Sequence, residues 1–261
     1  MNCNKTIKHV NSLIRKSCDI IFGNRFRDHR IPFGPISGKY IHIKPSISPR
    51  MFFGINENQL IRNMKSILKR DDIVYDIGAH IGYVTVLCAL RVERYGHVHC
   101  FELMPGTAEK LKKTIELNGF KNCSVHIIGL SDKNMEIDIS LGDTYMGSIR
   151  SFPYFLPYSQ IQKCSVTLLN HYVKKQSIET PTLMKMDIEG EEVRALKGAV
   201  KTIRSSLPIL TIEFHSLSLL NEGRKLMSDI GYSIMLLSGQ SVTDDYLKGI
   251  HKFHQNVICF H

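Results

Sequence analysis

The chain has 261 residues, of which 43% are hydrophobic and 22% charged. These are globular proportions that exclude a disordered or fibrous chain and suit one large domain with a small extension. No apolar run approaches the roughly 18 residues that span a bilayer and no apolar signal segment opens the chain, so a soluble cytoplasmic protein is expected. The formal charge of +10 is uneven: residues 1–70 hold 14 Lys/Arg against 3 Asp/Glu, and residues 71–261 hold 20 against 21. The seven cysteines are scattered without a CxxC pair, as expected of reduced thiols and not of a disulfide framework or a zinc site.

In chain order, the first element is a basic amphipathic helix over residues 5–22, "KTIKHVNSLIRKSCDIIF", with Ile7, Val10, Ile14, Cys18 and Ile21 at helical spacing and Lys5, Lys8, Arg15 and Lys16 on other faces. Such a helix either docks on its own domain or touches an anionic membrane surface or partner. Pro32, Pro35, Pro45 and Pro49 predict looped backbone with linker positions over 31–50. The division expected is a basic N-terminal extension over 1–58 and a second, larger domain over 59–261.

From residue 71 strands and helices alternate. "DIVYDIG" (72–78), "HVHCFEL" (97–103) and "SVHIIGL" (124–130) read as strands, and 83–93 and 105–119 as helices. Residues 131–163 break the rhythm with a half-exposed strand, "MEIDISL" (135–141), and a Gly/Ser/aromatic loop over 142–158 placed to cover a ligand. Then come strands at 182–188 and 208–214, helices at 192–206 and 216–231, and closing strands at 232–238 and 256–261, an antiparallel pair at the sheet edge. The alternation predicts an α/β fold with a mostly parallel sheet between helical layers.

"VYDIGAHIGYVT" (74–85) sits at a strand-to-helix turn. Gly78 and Gly82 allow a tight turn and a close ligand approach, but the middle glycine of a pyrophosphate-binding GxGxxG is missing. Asp76, two residues before the first glycine, disfavours a pyrophosphate and suits a cationic amino-acid tail. Glu102, closing the next strand, can accept from two ribose hydroxyls, and Asp132, after the third, from an adenine amino group. An acid after each of three successive strands fits a nucleoside with a cationic amino-acid tail: S-adenosyl-L-methionine. His80 has either a structural role or a contact with that tail's carboxylate.

These pieces, with "FELMP" (101–105), "IIGLSD" (127–132), "VTLLNHYV" (166–173), "LMKMDIEGEEVRALKGA" (183–199) and "LTIEFH" (210–215), resemble the FkbM family of S-adenosylmethionine-dependent methyltransferases. "FFGINENQL" (52–60) looks like the segment before that family's first strand. The resemblance covers about residues 50–261 and implies a class I methyltransferase, Rossmann-like three-layer sandwich with a mostly parallel seven-stranded sheet and an antiparallel edge strand. It implies O-methylation of small-molecule, polyketide or sugar acceptors. The expected cofactor contacts are Asp76, Gly78, Ala79, His80, Gly82, Glu102, Leu103, Ser131 and Asp132. One departure is Leu168-Leu169-Asn170, where the family commonly has Thr-Leu-Asp.

Methyl transfer to a hydroxyl needs in-line positioning and gains from a base. Asp187 and Glu189 flank the end of the fourth parallel strand, and Glu213 and His215 end the next. In an open α/β sheet these carboxyl ends meet the ligand. Continued extension to residue 189 would put Lys185, Asp187 and Glu189 on one face. The expected roles are His215 or Glu189 as general base, Asp187 as an orienting group and Lys185 as partner of an acid. Glu191 and Glu192 read as first-turn helix charge. Asp187, Glu189 and His215 could hold Mg²⁺ or Mn²⁺, but their spacing is not diagnostic, and no metal is expected. The acceptor expected is a sugar, glycolipid or other small metabolite. The competing readings are an RNA or DNA methyltransferase and a non-catalytic cofactor-binding domain. The neutral body and the absence of an Asn/Asp-Pro-Pro-aromatic element argue against the first, and the retained carboxylates against the second.

Overall fold

The computed structural model describes residues 3–55, 58–141, 160–248 and 255–261. The loop expected over 142–158 lies outside them. In chain order the elements are α1 (Cys3–Phe22), β1 (Arg27–Arg30), β2 (Tyr40–Ile43), α2 (Pro49–Phe52), α3 (Asn58–Ile67), β3 (Ile73–Ile77), α4 (Tyr83–Val92), β4 (His97–Glu102), α5 (Pro105–Leu117), β5 (Cys123–Ile127) and β6 (Gly129–Leu130). They continue as β7 (Met135–Leu141), β8 (Gln160–Thr167), α6 (Leu169–Gln176), β9 (Leu183–Met186), α7 (Glu192–Ser206), β10 (Ile209–Phe214), α8 (Leu217–Asp229), β11 (Ser233–Leu236), α9 (Asp244–Lys248) and β12 (Gln255–Phe260).

The main sheet has seven strands in the order β11-β12-β10-β9-β3-β4-β5. β10, β9, β3, β4 and β5 pair in parallel, as helical crossovers require. Alternate residues of each strand face opposite layers. Val74, Val98, Cys100 and Leu183 pack in one core with Met64 of α3, Leu87 of α4 and Leu111 of α5. Tyr75, Ile77, Phe101, Met184 and Ile212 pack in a second with Leu169 of α6, Leu196 of α7 and Leu220 of α8. This is the expected three-layer sandwich. The two closing strands do pair antiparallel, but β12 lies one place in from the edge, between β11 and β10. It is antiparallel to both because it returns from a strand that runs with the rest.

Three local departures follow from packing. Residues 31–50 are no linker: β1 and β2 form an antiparallel hairpin, and Ile31, Ile36, Ile41 and Ile43 join the same core as Val74. The expected strand over 124–130 splits, with β5 ending at Ile127 and β6 entering a second sheet, ordered β6-β8-β7. There β7, expected as a half-exposed strand, pairs with β8, whose alternation had merged with the irregular stretch. Asn170, the departure from the family pattern, ties α6 to α7 by accepting from Thr202 N at 2.9 Å and Thr202 Oγ1 at 3.0 Å.

On the α6–α7 side, β4 and β5 carry a histidine group. His99 Nδ1 lies 3.0 Å from His126 Nε2, His99 Nε2 3.3 Å from Glu179 Oε2, and His126 Nδ1 3.1 Å from the Tyr172 hydroxyl. One tautomer assignment satisfies all three contacts: Tyr172 donates to His126, His126 to His99 and His99 to Glu179. The His97 ring sits 4.6 Å from that of His99.

Candidate active site

The site is built at the carboxyl ends of β3, β4, β9 and β10, where an open α/β sheet exposes its ligand crevice. After β3 the chain turns at Gly78, φ 76°, and enters α4 through Gly82, φ 96°. Neither position tolerates a side chain. A Cβ on Gly78 would lie 1.9 Å from the Asp187 carbonyl oxygen, and one on Gly82 2.7 Å from Leu111. Gly78 and Ala79 both donate their amides to Phe101 O, at 2.9 and 3.1 Å, which fastens the turn to the end of β4. His80 holds the turn in a left-handed conformation, φ 52°.

Glu102 closes β4. Its two carboxylate oxygens accept from His80 N at 2.9 Å and Met104 N at 3.0 Å, so one carboxylate clamps two loops. Burial raises its carboxyl above the ordinary range, against the lowering effect of those two amides. Two backbone bonds leave a carboxylate with lone pairs for ribose hydroxyls, so its placement fits the expected role. Burial, then the charge of Lys185, lowers His80 to about 4, which keeps its ring neutral. His80 and Ile81 border a small cleft with Thr107 and Lys110 of α5 and Phe26 and Ile43 of the N-terminal hairpin.

Asp76 is brought beneath this turn and not to its surface. Fully buried, it accepts from Thr85 Oγ1 at 2.6 Å and pairs with Lys185 Nζ at 3.4 Å. Lys185 in turn donates to Gly78 O at 2.9 Å. A buried ion pair with further hydrogen bonds is a costly element to break, roughly 3–5 kcal/mol when one partner is removed; here it fixes β9 to the turn after β3. Ser131 is buried and anchored by its amide on Thr167 O at 2.9 Å. Asp132, beside it, is half-buried, and Leu103 packs on Gly129. Asp132 acts on Glu191, whose carboxyl is raised by burial and then by Glu192 and Asp132, against Arg194.

Asp187, Glu189 and His215 come together. His215 Nε2 lies 3.5 Å from Asp187 Oδ1 and 3.4 Å from Glu189 Oε2. One ligating atom from each lies within 4.8 Å of the others. The reason differs from strand alternation. β9 ends at Met186, and Glu189 reaches the group through a left-handed turn, φ 56°, completed by Gly190, φ 109°.

The alternation reading missed Glu192. Its side chain is 0% exposed, and its Oε1 lies 2.8 Å from His215 Nδ1 and accepts from Gly190 N at 2.8 Å. It does open α7, as expected, but not as solvated helix charge. The available signal was spacing: 192 shares a helix face with Ala195, Leu196, Ala199 and Ile203, all buried. Burial opposes the imidazolium of His215, but the hydrogen bond and charge of Glu192, then Glu189 and Asp187, raise it to about 9. Both ring nitrogens then carry protons at neutral pH, one toward Glu192 and one toward the two exposed-side carboxylates.

Residues 76–234 match the family described as Methyltransferase FkbM domain. A hexuronic acid methyltransferase, AglP of Haloferax volcanii, is 22% identical over 165 residues, which cover 61% of this chain and 63% of that protein. The fold is similar to the crystal structure of methyltransferase FkbM from Methylobacillus flagellatus KT, with a TM-score of 0.51 and 21% identity over 74% of this chain and 44% of the other. It is also similar to Trm5b from Pyrococcus abyssi, with a TM-score of 0.50 and 15% identity over 91% and 56%. The chain thus spans about half the length of these solved structures and under two thirds of AglP.

Proposed function

The chain belongs to the FkbM methyltransferase domain family, and we propose that it uses S-adenosyl-L-methionine to O-methylate a hydroxyl of a sugar or related small metabolite. The observation that carries this reading is the junction at Gly78, whose Cα faces the carbonyl of Asp187 without room for a methyl group. The turn suited to the cofactor and the cluster suited to the acceptor are thereby one contiguous site.

In this reading Glu102 takes the ribose hydroxyls, Ser131, Asp132 and Leu103 border the adenine, and Gly78, Ala79, His80 and Gly82 surround the amino-acid portion. Asp76 is a positioning residue that sets the turn through Lys185. When bound, the cofactor supplies an electrophilic methyl group, which leaves its sulfur as the acceptor oxygen bonds to it. Glu192 holds Nδ1–H of His215 and so directs Nε2 toward Asp187 and Glu189. Once neutral, His215 takes the acceptor's hydroxyl proton at Nε2, while Asp187 and Glu189 orient neighbouring hydroxyls by accepting from them. The hexuronic acid in the name of the Haloferax volcanii relative makes uronic acids and their glycosides the first acceptors to try.

Calorimetry with S-adenosyl-L-methionine should show binding that Glu102→Ala weakens by about tenfold or more, the worth of one to two charge-assisted hydrogen bonds. Mass spectrometry should then find an added methyl on a glycan hydroxyl. A folded protein that does not bind the cofactor, or one that methylates RNA in preference to sugars, would sink the proposal.

A further inference from the structure

Over its described side chains, from Ser12 onward, helix α1 is docked along one side. Its buried side carries Cys18 and ends in Phe22, whose ring lies 4.7 Å from that of Phe52. Asp19 reaches Lys44 at 3.9 Å. The rest of the helix leaves an apolar stripe uncovered: Leu13, Ile14, Ile20 and Ile21, with Ile20 84% and Ile21 70% exposed. Positions 13, 14, 20 and 21 stand at i, i+1, i+7 and i+8, one face of an α-helix, and the register continues upstream in the sequence through Val10 and Ile7. Ordinary folding has no use for four bulky aliphatics in water on one face.

The surroundings of this stripe are basic. Arg15 and Lys16 lie exposed on α1 itself, and Arg25, Arg27 and Arg30 lie exposed just beyond it. The two acids of this segment are taken up, Asp19 facing Lys44 and Asp28 facing His42 at 2.7 Å. The excess positive charge of the chain therefore lies in the first 70 residues, which include the uncovered apolar stripe, while residues 71–261 are close to neutral. An aliphatic ridge with Lys16 at its edge, further basic residues on the other faces and no aromatic anchor is complementary to a continuous surface that is oily inside and anionic outside. Among the described residues no helix is long and apolar enough to cross a membrane, so this geometry lies on a bilayer and does not span it.

We propose that α1 docks the protein on an anionic lipid surface, with Leu13, Ile14, Ile20 and Ile21 entering the headgroup boundary and Arg15 and Lys16 meeting lipid phosphates. This contact is separate from the methyl-transfer reading and stands or falls without it. The full chain should be sedimented with vesicles of phosphatidylcholine alone and of phosphatidylcholine mixed with phosphatidylglycerol. About tenfold stronger partitioning to the mixed vesicles is expected, weakening as salt is raised. The double variant Ile20→Asp/Ile21→Asp should abolish it, and Arg15→Glu/Lys16→Glu should reduce it to the level of neutral vesicles. Because these side chains are exposed, the melting temperature of each variant should match the parent, which separates lost docking from lost folding. Equal partitioning to neutral vesicles, no partitioning, or undiminished partitioning of the isoleucine variant would overturn the proposal. So would a concentration-dependent dimer that the isoleucine variant dissociates, since the stripe would then be covered by a second copy of the chain.

Discussion

His215 follows the end of β10 and the His97–His99–His126 group lies on β4 and β5 of the same sheet, yet their surroundings push them in opposite directions. Three carboxylates surround His215 and hold its imidazolium up to about 9 in spite of burial. Around His126 burial, then His99 and His97, brings the ring down to about 4. His99 is lowered by burial and by His97, against Glu179. The difference is the number and burial of the acids. Glu192 is sealed inside the fold, where its charge is weakly screened, whereas Glu179 lies at the surface with its charge in water. Burial alone therefore does not set the state of a histidine; its buried neighbours do. One group is a charged imidazolium held among carboxylates, and the other is a chain of hydrogen bonds between rings that burial keeps from charging.

The sharpest test is to remove one histidine from each group. His215→Asn should lower kcat by about 10²- to 10⁴-fold, the usual worth of a general base, while cofactor affinity stays within about twofold. His126→Phe should leave kcat within about twofold. Equal losses from both would erase the distinction.

Next comes Glu192→Gln, which keeps the shape and removes the charge. In the parent, kcat/KM should climb with pH through a midpoint of about 9, because His215 must be neutral to accept a proton. In the variant the midpoint should fall toward the ordinary value of about 6.5, and denaturant titration at pH 7 should show about 2 kcal/mol of lost stability, the worth of a buried charged hydrogen bond. A pH profile unchanged by this variant would move the base to Glu189.

The two groups should also divide the pH range of stability between them. His215 is raised on folding, so its contribution is complete below about 6.5 and fades as pH rises through about 9. His126 is lowered on folding, so its contribution is complete above about 6.5 and fades as pH falls toward about 4, and His99, also lowered, adds to the same acid limb. Melting temperature against pH should show both limbs. Glu192→Gln should flatten the alkaline one, and His126→Phe the acid one. The smallest effect belongs to Tyr172→Phe, which removes one hydrogen bond from His126 and should cost about 1 kcal/mol or less.

The legible parts of this molecule are those governed by short-range periodicity. Strand β3, the turn at Gly78 and the start of α7 at Glu192 stand where alternation, glycine spacing and helix patterning put them. What the linear pattern could not carry was depth. Asp76 and Glu102 are both acids at strand ends, but one is sealed under the turn by Lys185 and the other clamps two loops at its rim. Glu191 and Glu192 are adjacent and chemically alike, yet a 100° step around the helix sends the second into the core. The prolines of 31–50 suggested a linker because they mark irregular backbone, while the four isoleucines that bury themselves there are too irregularly spaced to register as an element.

The position of β12 bears on how the molecule is made. Among the described residues β11 pairs in the main sheet with β12 and no other strand, and β12 follows it by some twenty residues. During synthesis β10 and β11 therefore emerge before the strand that joins them. Until residues 255–260 leave the ribosome, β10 presents an open, apolar edge to the cell. The nascent chain is thus exposed to chaperones and to mispairing until β12 has been made, and a ribosome stalled between β11 and β12 would display a sheet with a raw margin at β10.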